Sequence, residues 1–203
     1  MFVKICGITR EADAAAAVAC GASAIGFIFW PESRRYIQPS KARAIVRSLP
    51  PFVTPVGVFV NDTAERINAA ADEAGLGAVQ LHGDEEPELV DRLNRPVIKA
   101  VSCVDEGTAT RWPGGVMLLV DADDPVKRGG TGARADWDGA RRLAASRRVL
   151  LAGGINPENV RDAVTVVRPF GIDVSSGVED GPGIKNPERI RQLFEVLRDM
   201  SRS

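Results

Sequence analysis

Eight short apolar runs rich in β-branched residues recur along the chain: Phe2–Cys6, Ala24–Phe29, Thr54–Val60, Ala78–Leu81, Val97–Val101, Val116–Asp121, Val149–Ala152 and Gly171–Val174. Runs of this length suit buried strands better than helices. Most of the segments between them carry helical periodicity and helix-start signals. Ala12–Cys20 is alanine-rich, and Gly21 can close it. Asn156-Pro157 and Asn186-Pro187 each set a capping residue before a proline at the first helical position. Asp62 followed by Glu65 predicts a capping box. Strand–helix alternation predicts a parallel sheet. Eight repeats predict closure into an α/β, single-domain (β/α)8 TIM barrel over residues 1–203, with an open doubly wound sheet as the alternative. At 203 residues the chain is shorter than the roughly 250 usual for such barrels, so its loops must be short. Val104–Arg111 reads as a weak helix. Asp123–Gly132 reads as a polar, glycine-bearing loop suited to a mobile lid.

The formal net charge is −1, which excludes a basic field for nucleic acid or an anionic membrane. An anionic ligand must therefore be captured by local geometry. Three cysteines, Cys6, Cys20 and Cys103, form no repeated spacing and no disulfide framework. With one histidine, His82, and no CxxC pair, no zinc site is expected. No signal-peptide pattern precedes the first strand, and no apolar run reaches membrane-spanning length. The expected setting is reduced and cytoplasmic, without a metal.

In a parallel barrel the active site forms at the C-terminal ends of the strands. The polar residues at those ends are Cys6-Gly7, Gln80-Leu81-His82-Gly83 and Asp121, then Gly153-Gly154, then Asp173 with Ser175-Ser176-Gly177. Glycines let backbone N–H groups approach an anion, and barrels often hold phosphate at the loops after strands seven and eight. Gly153, Gly154, Ser175, Ser176 and Gly177 lie in those two loops, although glycines also serve plain tight turns. Cys6 and Asp121 are the candidate acid–base pair. Cys6 is either a small buried hydrophobe or a base, and as a base it needs a cation nearby. Lys4, two residues earlier on the same strand face, can supply that charge. Asp121 ends an apolar strand, whereas Asp123 and Asp124 lie beyond it in an acidic loop. His82 is either structural or part of the site. Arg34 and Arg35 are either exposed loop arginines or a carboxylate clamp.

Taken in order, several stretches resemble phosphoribosylanthranilate isomerases: Val3–Thr9, Ser33–Ile37, Val58–Asn61, Val79–Gly83, Leu119–Asp121, Gly129–Gly132, Leu151–Val160 and Asp173–Glu179. The resemblance spans essentially the full chain. It implies a ribulose-phosphate-binding barrel that performs an Amadori rearrangement in tryptophan biosynthesis. N-(5-phosphoribosyl)anthranilate would open its furanose ring and become the 1-deoxyribulose 5-phosphate derivative, with no cofactor. It implies that Asp121 is the general acid on the ring oxygen and Cys6 the general base at C2′. It implies that Arg35 contacts the anthranilate carboxylate, and that Gly154, Ser176 and Gly177 bind phosphate. Asp173 and His82 are implied in supporting roles. Two loops differ from the family pattern, at Ala133–Trp137 and at Pro182–Asn186. The implied partner is a small phosphorylated substrate, bound by a monomer or homodimer. A barrel that binds the ligand without converting it is the rival, as is a related sugar-phosphate enzyme. An epimerase would need more histidines than one. A bifunctional isomerase would need a second phosphate site opposite the first, and His82-Gly83-Asp84-Glu85-Glu86 reads as too acidic for it.

Overall fold

The computed structural model describes residues 1–102, 107–121 and 136–200. The strands are β1 (Phe2–Ile5), β2 (Ala24–Ile28), β3 (Thr54–Phe59), β4 (Ala78–Leu81), β5 (Val97–Val101), β6 (Met117–Val120), β7 (Val149–Leu151) and β8 (Gly171–Val174). They form one closed parallel barrel, sealed where Phe2–Ile5 of β1 pairs with Gly171–Val174 of β8. An open sheet would leave two unpaired edges, so the doubly wound alternative falls. The helices are α1 (Glu11–Cys20), α2 (Pro39–Val46), α3 (Ala64–Ala74), α4 (Thr108–Arg111), α5 (Trp137–Ala144), α6 (Val160–Val167) and α7 (Pro187–Met200). A 3-10 stretch, Pro87–Arg92, fills the place of a helix between β4 and β5. After β8 a small antiparallel hairpin, β9 (Glu179–Gly181) with β10 (Ile184–Lys185), precedes α7.

Alternation along each strand sorts its side chains into two cores. Val3, Ile5, Phe27, Leu81 and Leu118 face outward and pack with helix residues such as Ala17, Ile67, Leu143 and Leu193. Each such burial contributes ~1.5–3 kcal/mol. The opposite parity fills the barrel: Ala24, Val56, Ala78, Ile98, Leu119, Leu150 and their neighbours. Lys4 stands level with Ala24 and Asp173, and Val58 with Gln80, so these polar residues share the inward parity. Cys6, His82, Asp121 and Ser175 follow two residues after an inward position. The same alternation that builds the core therefore turns them into the mouth.

Several helix ends follow the sequence. Gly21 (φ +110) closes α1, its N–H reaching Val18 O. Asn186 Oδ1 accepts from Arg189 N–H at 3.0 Å, capping α7 ahead of Pro187. Other ends differ from expectation. Thr63, not Asp62, caps α3: its Oγ1 accepts from Arg66 N–H, while Asp62 turns back on Thr63 N–H. Asn156 does not start α6 directly. Its Oδ1 accepts from the N–H groups of Glu158 and Asn159, making a turn that delays the helix to Val160. Of the weak helix expected over Val104–Arg111, Thr108–Arg111 is helical, and residues 104–106 lie outside the described residues. The loop expected over Asp123–Gly132 lies outside the described residues, as do Ala133–Ala135 and Cys103. No helix among the described residues is long and apolar enough to cross a membrane.

Candidate active site

Cys6 leaves β1 with its N–H bound to Val174 O at 2.8 Å, and it is buried. Gly26 on β2 makes the space for it. A Cβ there would lie 2.7 Å from Cys6 Sγ and 3.1 Å from Lys4 Cε. Lys4, fully buried, donates to Asp173 Oδ1 at 2.9 Å. Burial alone would lower Lys4, but Asp173 and Cys6 outweigh it and push its pKa up to about 12. Burial pushes the Cys6 thiol up and prevails over the downward pull of the Lys4 ammonium.

Asp121 leaves β6 and meets His82 from β4, whose Nε2 is 3.3 Å from Asp121 Oδ2. On its other side, His82 Nδ1 is 2.8 Å from Gln80 Nε2. With the amide nitrogen donating to Nδ1, the ring proton sits on Nε2 and faces the Asp121 carboxylate. Cys6 and Asp121 thus belong to separate clusters. One is built by β8, β1 and β2, the other by β4 and β6 on the far arc of the same mouth.

Between the clusters run the loops after β7 and β8. Gly153 (φ +74) and Gly154 (φ +68) are both left-handed, which only glycine adopts without strain. Asn156 Nδ2 and Asn159 Nδ2 hold Gly154 O at 3.2 and 2.9 Å. Ser176–Val178 forms a 3-10 turn. There a Cβ on Gly177 would lie 1.9 Å from Ile155 O, so the two loops touch backbone to backbone. Among the described residues, no protein acceptor takes the N–H groups of Gly153, Gly154, Ser176 or Gly177. The Ser175 hydroxyl is buried without a partner. A cluster of unused donors of this kind suits phosphate oxygens.

Arg35 lies against the same end. Gly7 (φ +74) gives it room, since a Cβ there would lie 2.6 Å from Arg35 Cδ. Its guanidinium grips Glu179, with Nη2 to Oε2 at 2.7 Å, and Lys185 Nζ reaches Glu179 Oε1 at 2.7 Å. On the opposite arc, Glu85 is buried rather than part of an exposed acidic loop. Lys99 Nζ is 2.6 Å from its Oε2, and it accepts from the N–H groups of Asn61 and Gly83. Glu85 is thus neutralised from within, while Asp84 and Glu86 on either side of it remain exposed.

The structure brings Cys6 and Asp173 together on one side, and His82 and Asp121 on the other. It brings Gly153, Gly154, Ser175, Ser176 and Gly177 together between them. Sequence reasoning gave no role to Gln80, Gly26, Glu179 or Lys185. An isolated glycine inside a strand signals a close approach and could have singled out Gly26. Among the described residues no group of three or more His, Cys, Asp or Glu is placed to hold a metal.

Residues 3–196 match the family model for N-(5'phosphoribosyl)anthranilate (PRA) isomerase. The N-(5'-phosphoribosyl)anthranilate isomerase of Citrifermentans bemidjiense is 48% identical over 201 residues, 98% of each chain. The phosphoribosyl anthranilate isomerase of Thermus thermophilus superposes with a TM-score of 0.91 at 43% identity, covering 98% of this chain and 100% of that one. Another was solved in complex with reduced 1-(o-carboxyphenylamino)-1-deoxyribulose 5-phosphate. It superposes with a TM-score of 0.86 at 42% identity, over 98% of this chain and 99% of that one. Agreement of this order along nearly the whole barrel, strand for strand, means that the chain belongs to the N-(5'-phosphoribosyl)anthranilate isomerase family.

Proposed function

We propose that this chain isomerises N-(5'-phosphoribosyl)anthranilate, as a cytoplasmic enzyme of tryptophan biosynthesis, with Asp121 as general acid and Cys6 as general base. The observation that carries the reading is the split mouth. A thiol flanked by Lys4 and Asp173 lies across the mouth from the Asp121 carboxyl group held by His82, with a cluster of unused backbone donors between. The phosphate anchors to the loops of Gly153-Gly154 and Ser175-Ser176-Gly177, remote from the reacting carbons. That leaves binding energy for orientation.

The steps balance without a co-reactant. The anilino nitrogen lone pair forms C1′=N as the bond from C1′ to the ring oxygen breaks, and that oxygen takes the proton of Asp121. Cys6 thiolate then removes the C2′ proton. The C–H electrons become the C1′=C2′ bond and the C=N electrons return to nitrogen. The resulting enolamine gains a proton at C1′ and loses one from the C2′ hydroxyl, giving the ketone. Arg35 holds the anthranilate carboxylate. His82 and Asp173 support the acid and the base through the contacts described above.

The test follows the fluorescence of the substrate, generated in situ, with wild type, Cys6→Ser and Asp121→Asn. Each variant is expected to lose about 10²–10⁴-fold in kcat while still binding a product analogue. A wild type that binds the analogue without turnover would make the chain a ligand-binding barrel instead. Light scattering separates monomer from homodimer; either leaves every residue named here within one barrel.

A further inference from the structure

A guanidinium has two edges that can hold a carboxylate side by side, Nε with Nη2 and Nη1 with Nη2. In Arg35 the first edge is already occupied. Nε donates to Glu179 Oε1 at 3.0 Å and to Oε2 at 3.1 Å, and Nη2 donates to Oε2 at 2.7 Å. Nη1 has no acceptor among the described residues, so the end edge remains for a ligand.

Glu179 is itself fixed from behind. Lys185 Nζ donates to its Oε1 at 2.7 Å and the Gly183 N–H at 3.2 Å. Lys185 is wholly buried and also donates to Ser175 O at 3.1 Å. Its backbone N–H is held by Asp13 Oδ2 at 3.0 Å, and Arg10 grips Asp13 in turn. The three side chains sum to two cations and one carboxylate. Arg35 with Glu179 alone would be neutral overall, and Glu179 would offset part of the pull of Arg35 on an incoming carboxylate. Lys185 restores a net positive charge.

We infer that Glu179 and Lys185 are positioning residues for the substrate's carboxylate: Glu179 fixes the free edge of Arg35, and Lys185 offsets the charge of Glu179. This rests on the reading of Arg35 as the carboxylate contact. The electrostatics agree. Burial would raise the Glu179 carboxyl, but Arg35 and Lys185 outweigh it and hold it below the usual carboxylate range. Burial pulls Lys185 down, while the ionised Glu179 at 2.7 Å keeps a proton on it.

The test compares affinities of wild type, Glu179→Gln, Lys185→Met and Arg35→Met for three ligands. These are reduced 1-(o-carboxyphenylamino)-1-deoxyribulose 5-phosphate, its anilino analogue lacking the carboxylate, and ribulose 5-phosphate. Wild type is expected to favour the carboxylated ligand over the anilino one. Glu179→Gln and Lys185→Met are expected to weaken only the carboxylated ligand, each by about tenfold, the first because Arg35 loses its fixed orientation and the second because one attractive charge is gone from a partly desolvated site. A uniform weakening of all three ligands would mark a purely structural role and overturn the inference. So would variants that keep the full wild-type preference. If wild type and Arg35→Met show the same lack of preference, the Arg35 reading itself fails. Should Lys185→Met not fold, the milder Glu179→Gln decides by the same comparison.

Discussion

At Cys6 two forces oppose. Burial disfavours the thiolate, the Lys4 ammonium favours it, and burial prevails, so the thiol titrates above its usual 9.0. The charged groups acting on it are Lys4 from β1, Asp173 from β8 and Lys185 from β10. The base is the deprotonated form, so a raised pKa leaves a small active fraction at neutral pH that grows as pH rises. We therefore expect kcat/KM to climb about tenfold per pH unit in the neutral range and to level only above 9.0. A pH–rate profile that is already flat at neutrality would rule out a free Cys6 thiol with this pKa as the base. Lys4→Met should push the rising limb further into the alkaline range, because the cation that favours the thiolate is gone.

At the scale of elements, the loops after β7 and β8 act as one unit because Gly177 touches Ile155 O. Gly177→Ala would drive a methyl into that carbonyl and part the loops. A displacement near 1 Å in a binding site can cost about 100-fold. Steady-state kinetics should show a KM raised by one to two orders of magnitude, with circular dichroism unchanged; an unaltered KM would remove phosphate from these loops. The sequence made this region legible through a positional rule: residues at the C-terminal ends of barrel strands face the mouth. Cys6, His82, Asp121 and Asp173 all sit there, so a strand register is enough to find them. Glu179 and Lys185 do not. The pairing of Arg35 with Glu179 spans 144 positions, and no periodicity records it. The helix start at Thr63 escaped for a smaller reason, since Asp62 and Thr63 are both good caps and only the local backbone chooses between them.

At the scale of the molecule, everything depends on a seam between the first and last strands, which lie 169 positions apart at Lys4 and Asp173. Such long-range pairing makes folding slow relative to helical proteins. Gly171 sits on the seam, and a Cβ there would lie 2.5 Å from Phe2 O. Urea unfolding should show Gly171→Ala destabilised by about 1–3 kcal/mol or more, the range for overpacking against rigid atoms. Gly115→Ala, which meets nothing within 4 Å, should stay within about 0.5 kcal/mol of wild type. Equal effects at the two sites would show that the seam is not where the fold is tight.

The barrel also carries an anion of its own. Glu85 occupies the backbone donors of Asn61 and Gly83 and the ammonium of Lys99, on the arc across from the loops after β7 and β8. An anion reaching that arc would meet donors already taken by the protein's own carboxylate, a partner that cannot dissociate. Glu85 is thus placed as a built-in competitor, and we expect a sugar with two phosphates to bind no more tightly than its single-phosphate counterpart, as a calorimetric titration with each would show.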